Sequence, residues 1–147
     1  MWTVFSPVWK GRGLQRGISR FRRLVRVAEA AALLIAARLL IRFVPIVRWR
    51  NTLGQPHTEG AVAQAGDDRA AEVLAYAVIR AARLLPLPFL CLPRAMALQW
   101  MLRRRGIGSV LVMGATGGRT DQPALHAWVE RKGCILIGED EYTYVPV

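Results

Sequence analysis

The sequence predicts an α+β domain in which helices come first and an antiparallel sheet follows. Residues 18–43 are rich in Ala, Leu and Arg with no internal Gly or Pro. From Asp67 onward apolar residues recur at helical spacing. After Gly106 the chain changes to short β-branched or aromatic runs separated by Gly or polar turns. Helices followed by strands with short links give segregated layers rather than alternating parallel units.

The chain has 147 residues, 53% of them hydrophobic, which suffices for the core of one domain. Its formal charge of +11 resembles a nucleic-acid signature until it is divided along the chain. Residues 1–50 carry eleven Lys/Arg and one acid, Glu29, whereas residues 51–147 carry ten basic and nine acidic residues. The basicity therefore belongs to an N-terminal arm, and nucleic acid is not an expected partner. The boundaries read as a basic, apolar arm and helix over 1–50, a linker over 51–66 and a main domain over 67–147.

Residues 1–17 mix Trp2, Phe5 and Trp9 with Pro7, Gly11, Gly13 and Gly17. They have neither helical nor strand period and read as a flexible or partner-ordered tail. A long helix follows over 18–43 and ends before Pro45. In its second half Leu33, Leu34, Ile35, Leu39, Leu40 and Ile41 spread nearly all round the wheel, so it must meet protein or lipid on more than one side.

A membrane span needs about twenty mostly apolar residues. The best window, Val27 to Val47, holds Glu29, Arg38, Arg42 and Pro45. Each central Arg costs roughly 2.5–3.5 kcal/mol on insertion. The expectation is burial against the domain or a partner, with peripheral membrane contact as the alternative. With no disulfide-like Cys spacing and no cleavable-signal pattern, a reducing, cytoplasmic setting is expected.

The stretch Asn51 to Gly66 contains Gly54, Pro56, Gly60 and Gly66 among polar residues and reads as a linker, with His57 a solvated loop residue. Asp67 and Asp68 open the next helix as cap and first-turn acids. Ala70, Leu74, Ala77, Ala81, Leu84 and Leu85 share its apolar face, and Pro86 and Pro88 end it. The third helix is expected from Leu92 to Arg105, with Pro93 in its first turn, Gly106 just past its end and Arg103–Arg105 as a solvated terminus complementing the dipole. Strands are expected at Val110–Ala115, Leu125–Glu130, Cys134–Ile137 and Tyr142–Val145.

Cys91 stands at the start of the third helix, where unpaired backbone N–H groups and the positive dipole end favour a thiolate. Cys91, Ala95, Leu98 and Leu102 fall within about 60° on the wheel, so the sulfur leaves on the inward face. On spacing alone, a nucleophile and a small buried hydrophobe are equal readings of Cys91. Cys134, inside an apolar strand, reads as a buried hydrophobe. His126 lies on a strand whose alternation puts His126, Trp128 and Glu130 on one face and Ala127 and Val129 on the other. A helix-start Cys followed by a strand His is the arrangement thiol hydrolases use.

A third group should orient the imidazole. With Lys132-Gly133 as a two-residue hairpin loop, Arg131 pairs with Cys134 and Glu139 falls opposite His126. With a three-residue loop the register slips and Asp140 becomes the diagonal neighbour. Glu139 and Asp140 are thus rival orienters. Phosphate loops, dinucleotide fingerprints and metal-ligand clusters are absent from the sequence, so a cofactor-free, metal-free hydrolase is expected.

The string Cys91-Leu92-Pro93-Arg94-Ala95-Met96-Ala97-Leu98-Gln99, then Leu102-Arg103-Arg104-Arg105-Gly106-Ile107, then His126-Ala127-Trp128-Val129-Glu130, resembles the signature of stand-alone leader peptidases of lasso-peptide biosynthesis. That family is similar to transglutaminase-like and papain-like cysteine hydrolases. The resemblance implies a papain/transglutaminase-like antiparallel sheet with the nucleophile at a helix N-terminus, Cys91 as nucleophile and His126 as base. The family usually has an Asp about a dozen residues after the His, and the matching position here is Gly138. The implied activity is leader removal from a ribosomally made lasso-peptide precursor. The implied partners are that precursor, a leader-recognition protein and a macrolactam synthetase. A transglutaminase-like acyltransferase and a non-enzymatic adaptor acting through the basic arm are the rival readings.

Overall fold

The computed structural model describes residues 18–49, 67–116, 125–138 and 144–146. The tail over 1–17, the linker over 51–66 with His57, and the rival carboxylates Glu139 and Asp140 lie outside the described residues. The elements are α1 (Ile18–Phe43), α2 (Ile46–Trp49), α3 (Asp67–Leu84), α4 (Cys91–Arg103), β1 (Val110–Thr116), β2 (Leu125–Arg131), β3 (Cys134–Ile137) and β4 (Tyr144–Pro146). The strands form one sheet in the order β3-β2-β1-β4, and all three pairings are antiparallel. The fold is therefore α+β, with its helices on one side of the sequence and its sheet on the other. The short α2 after Pro45 was not expected from the sequence, and β4 coincides with the expected last strand at Tyr144 and Val145.

α4 is the centre of the molecule. Besides the expected inward face with Ala95, Leu98 and Leu102, it buries Met96, Ala97 and Met101 on other sides. The reason is that α1 and α3 both pack on it while β2 covers a further face. Ala30 and Leu34 of α1, Leu74 and Val78 of α3, and Ala127 and Val129 of β2 belong to the same buried cluster. The helix of the N-terminal arm is thus built into the core of residues 67–147. Ala30 and Ala37 on α1 and Ala71, Ala75 and Ala81 on α3 are buried, and such small side chains let helices approach closely. Truncating a fully buried leucine such as Leu98 to Ala should cost about 2–5 kcal/mol.

The buried face of α3 is turned toward Val78 and Ala82, which leaves Leu84, expected to face the core, exposed. Asp67 and Asp68 begin α3 as expected, and they also form ion pairs across the fold. Arg131, buried on β2, donates from Nε to Asp68 at 2.8 Å and from a terminal nitrogen to the carbonyl of Gly108 at 2.5 Å. Lys132 reaches Asp68 at 3.0 Å. These two donors, Lys132 first, hold the Asp68 carboxyl below its ordinary value. The start of α3 is thereby tied to the β2–β3 turn.

At the other end of α4, Gly106 adopts φ +68°. Its neighbour Ile107 donates to the carbonyl of Leu102 at 3.0 Å, closing the helix with a left-handed residue that glycine accommodates without steric cost. The arginines there are not simply a solvated end. Arg105 lies 2.7 Å and Arg104 3.5 Å from Glu29 on α1. The hydrogen bond from Arg105 and the charges of both arginines hold Glu29 below its ordinary value of 4.5, against the opposing effect of burial. Glu29 therefore fastens α1 to α4.

Candidate active site

Cys91 is the first residue of α4. Leu90, which precedes it, is extended (φ −70°, ψ 178°) and supplies no side-chain cap. Pro93 in the first turn has no N–H, so the backbone donors at this helix start belong to the residues immediately around Cys91. The loop before the cysteine is held from α1: Arg38 donates to the carbonyl of Pro88 at 2.5 Å and lies over the ring of buried Phe89, 5.9 Å from its centroid. Arg38, which weighs against a membrane span in the sequence, has this structural use.

A cavity of about 790 Å³ lies between α3, the start of α4 and strand β3. Cys91, His126 and Gly138 all line it, together with an apolar wall that includes Ile79, Phe89 and Ile135. Charged residues at its margin include Asp68, Glu72, Arg83 and Lys132. β3 is an edge of the described sheet, and the whole strand lines the cavity.

His126 is buried on β2 and stacks on Trp128, with ring centroids 5.9 Å apart and planes at 23°. Trp128 in turn donates its indole N–H to Glu130 at 2.6 Å. His126, Trp128 and Glu130 therefore interact in succession along one face of the strand, as alternation expects, while Ala127 and Val129 enter the core.

The Nε2 of His126 lies 2.5 Å from the carbonyl oxygen of Gly138. A carbonyl oxygen only accepts, so Nε2 carries a proton in this contact. Gly138 has φ +97°, and a Cβ there would stand 2.7 Å from the Trp128 Cβ and 2.8 Å from the Ala127 oxygen. Only glycine lets the chain approach β2 this closely.

The β2–β3 hairpin has the two-residue Lys132-Gly133 loop, with both residues at positive φ and Arg131 paired with Cys134. The count from that loop is nevertheless broken, because a bulge shifts the register between Val129 and Glu130: Glu130 pairs with Ile135, whereas Val129 pairs with Ile137. The assumption of an unbroken ladder that placed Glu139 opposite His126 does not hold.

Two further features were not recognised from the sequence. Arg94, one turn beyond Cys91 on α4, lines the same cavity, and its Nε is buried without a hydrogen-bond partner among the described residues. Its i,i+3 spacing from the cysteine was the available signal. Cys134, expected to be a buried hydrophobe, is instead exposed and lines the cavity, because it opens the edge strand beside the turn. Neither cysteine is in a disulfide. Gln99, further along α4, is bonded to Ser109 through both ends of its amide, at 3.1 and 2.9 Å. Among the described residues no cluster of three or more His, Cys, Asp or Glu side chains is arranged to hold a metal ion.

No curated protein and no solved structure matches the chain significantly. The family described as the transglutaminase-like superfamily matches residues 31–147, a span that takes in the second half of α1, the core helices, the cavity and the sheet. A helix-start cysteine, a strand histidine and a shared cavity in an α+β fold are in keeping with that match, and the chain belongs to the transglutaminase-like superfamily.

Proposed function

We propose that this protein is a cysteine peptidase that removes the leader from a ribosomally made lasso-peptide precursor. The observation that carries the reading is the joint lining of one cavity by Cys91 and by His126, whose ring is held through Nε2 by the carbonyl of Gly138. The leader-peptidase signature around Cys91 and His126 supplies the substrate class.

In this reaction Nδ1 of His126 takes the Cys91 proton, and the sulfur attacks the carbonyl carbon at the leader–core junction. Backbone N–H groups at the start of α4 stabilise the oxyanion. The C–N bond then breaks, the proton on Nδ1 passes to the departing amine, and the core peptide leaves with a free amino terminus. The leader remains as a thioester on Cys91. Water, deprotonated by His126, attacks that thioester and the thiolate departs, recovering its proton. A leader-recognition protein delivers the precursor, and a macrolactam synthetase consumes the new amino terminus. The edge position of β3 beside the cavity suits an extended peptide, which can add to a sheet edge through its backbone.

The test is to incubate the purified chain with its recognition partner and a precursor and to identify the products by mass spectrometry. Leader acid and free core are expected. Transfer of the leader to an added amine in place of water would make the protein an acyltransferase, and an unchanged precursor would oppose both activities.

A further inference from the structure

α1 has two apolar faces, and among the described residues only one is packed against the rest of the fold. Ala30, Leu34 and Ala37 are fully buried against α3 and α4. On the opposite side Phe21, Val25, Ile35, Leu39 and Phe43 are exposed, with exposed Ala28 and Ala32 between them. At 100° per residue these seven lie within about 40° of one line, which runs about 33 Å along the helix. Phe21, Leu39 and Phe43 retain 71%, 51% and 75% of their accessible surface. Single exposed apolar residues need no explanation, but a continuous stripe marks a docking surface.

The charges beside the stripe indicate its occupant. Arg20 and Arg42 lie along one flank and Arg22 along the other, all exposed, while Arg38 on the Arg20 side is engaged with Pro88 and Phe89. The only acid of α1, Glu29, is already paired with Arg104 and Arg105. We propose that α1 lies in the surface of an anionic lipid bilayer, with the Phe21–Phe43 stripe among the acyl chains and the flanking arginines on lipid phosphates. Phenylalanines at both ends, small residues at the centre and arginines able to extend to the headgroup level suit a helix lying in the interface plane. Among the described residues no helix is long and apolar enough to cross a membrane, so the surface orientation is the geometry available to it. The stripe would also fit a second helix, but pairing with another copy would set arginine flanks against each other with no free acid in α1 to balance them. An anionic bilayer supplies that balance.

The inference does not rest on the peptidase reading, and its test requires no catalysis. The full chain is mixed with vesicles of phosphatidylcholine alone, or of phosphatidylcholine and phosphatidylglycerol in equal parts, and sedimented. Binding to the mixed vesicles, weakened by salt and at least about tenfold stronger than to phosphatidylcholine alone, is expected. Leu39→Glu/Phe43→Glu should remove that binding and leave the melting temperature unchanged, since both side chains are exposed. Arg22→Gln/Arg42→Gln keeps the apolar stripe and should lower binding to the anionic vesicles selectively. Failure of the parent protein to sediment with either vesicle would overturn the proposal. So would equal binding to both, or a chain dimer that the glutamate variant dissociates without any vesicle binding.

Discussion

The His126 imidazole donates through Nε2 to the backbone carbonyl of Gly138 at 2.5 Å. A main-chain oxygen can accept from an imidazole ring as the carboxylate does in the familiar triad. It adds no full negative charge, so it orients the ring with less stabilisation of an imidazolium.

Gly138 is therefore expected to tolerate no side chain. Gly138→Ala places a Cβ against Trp128 and Ala127 at positive φ, and should lower stability by about 1–3 kcal/mol and reduce turnover more than the lost folded fraction explains. Melting curves and leader-removal kinetics on the same samples separate the two effects. Glu139→Gln and Asp140→Asn, assayed alongside, should each retain most of their turnover. A large loss in either would assign the orienting role to that carboxylate instead of the carbonyl.

Arg94 should contribute to binding of the precursor. Its buried Nε has no hydrogen-bond partner among the described residues, and Arg94 lines the cavity one turn from Cys91. A bound peptide carbonyl or carboxylate would satisfy it. Arg94→Met preserves much of the stem and should raise KM about tenfold with a smaller change in kcat, as expected for loss of one charge-assisted hydrogen bond. An unchanged KM would mean that substrate does not reach this nitrogen.

Glu29 should make stability depend on acid. Its carboxyl is held below 4.5 in the fold, chiefly by the hydrogen bond from Arg105, so above that value the folded state gains the full benefit of the pairing. As pH falls through the lowered folded value, the unfolded chain has already taken up its proton and the benefit is lost. Glu29→Gln should cost roughly 0.5–1 kcal/mol at neutral pH, and the gap in melting temperature from the parent should close in acid. A gap that stays constant across that range would assign the cost to packing.

Much of this arrangement was legible because it is written in residue type and spacing. Pro45, Pro86 and Gly106 punctuate the helices, and Cys91 and His126 carry chemistry that few residues offer. What escaped was carried by other means. Among the described residues the His126 ring meets the backbone carbonyl of Gly138, and no residue type announces that oxygen. Both a two-residue and a three-residue loop were open from the sequence, and the count from the two-residue loop assumes an unbroken ladder that the bulge between Val129 and Glu130 interrupts. Cys134 has the apolar neighbours of a core residue, but an edge strand leaves its first residue open. Leu84 is exposed because the buried face of α3 is turned toward Val78 and Ala82.

Trapping the acyl-enzyme tests directly whether Cys91 performs the chemistry. The protein is incubated with its recognition partner and a precursor, quenched in acid before deacylation is complete, and digested for peptide mass mapping. The leader fragment is predicted as a thioester on Cys91, retained in Cys134→Ala and absent, together with leader removal, from Cys91→Ala. Attachment to Cys134, or leader removal that persists in Cys91→Ala, would contradict the mechanism.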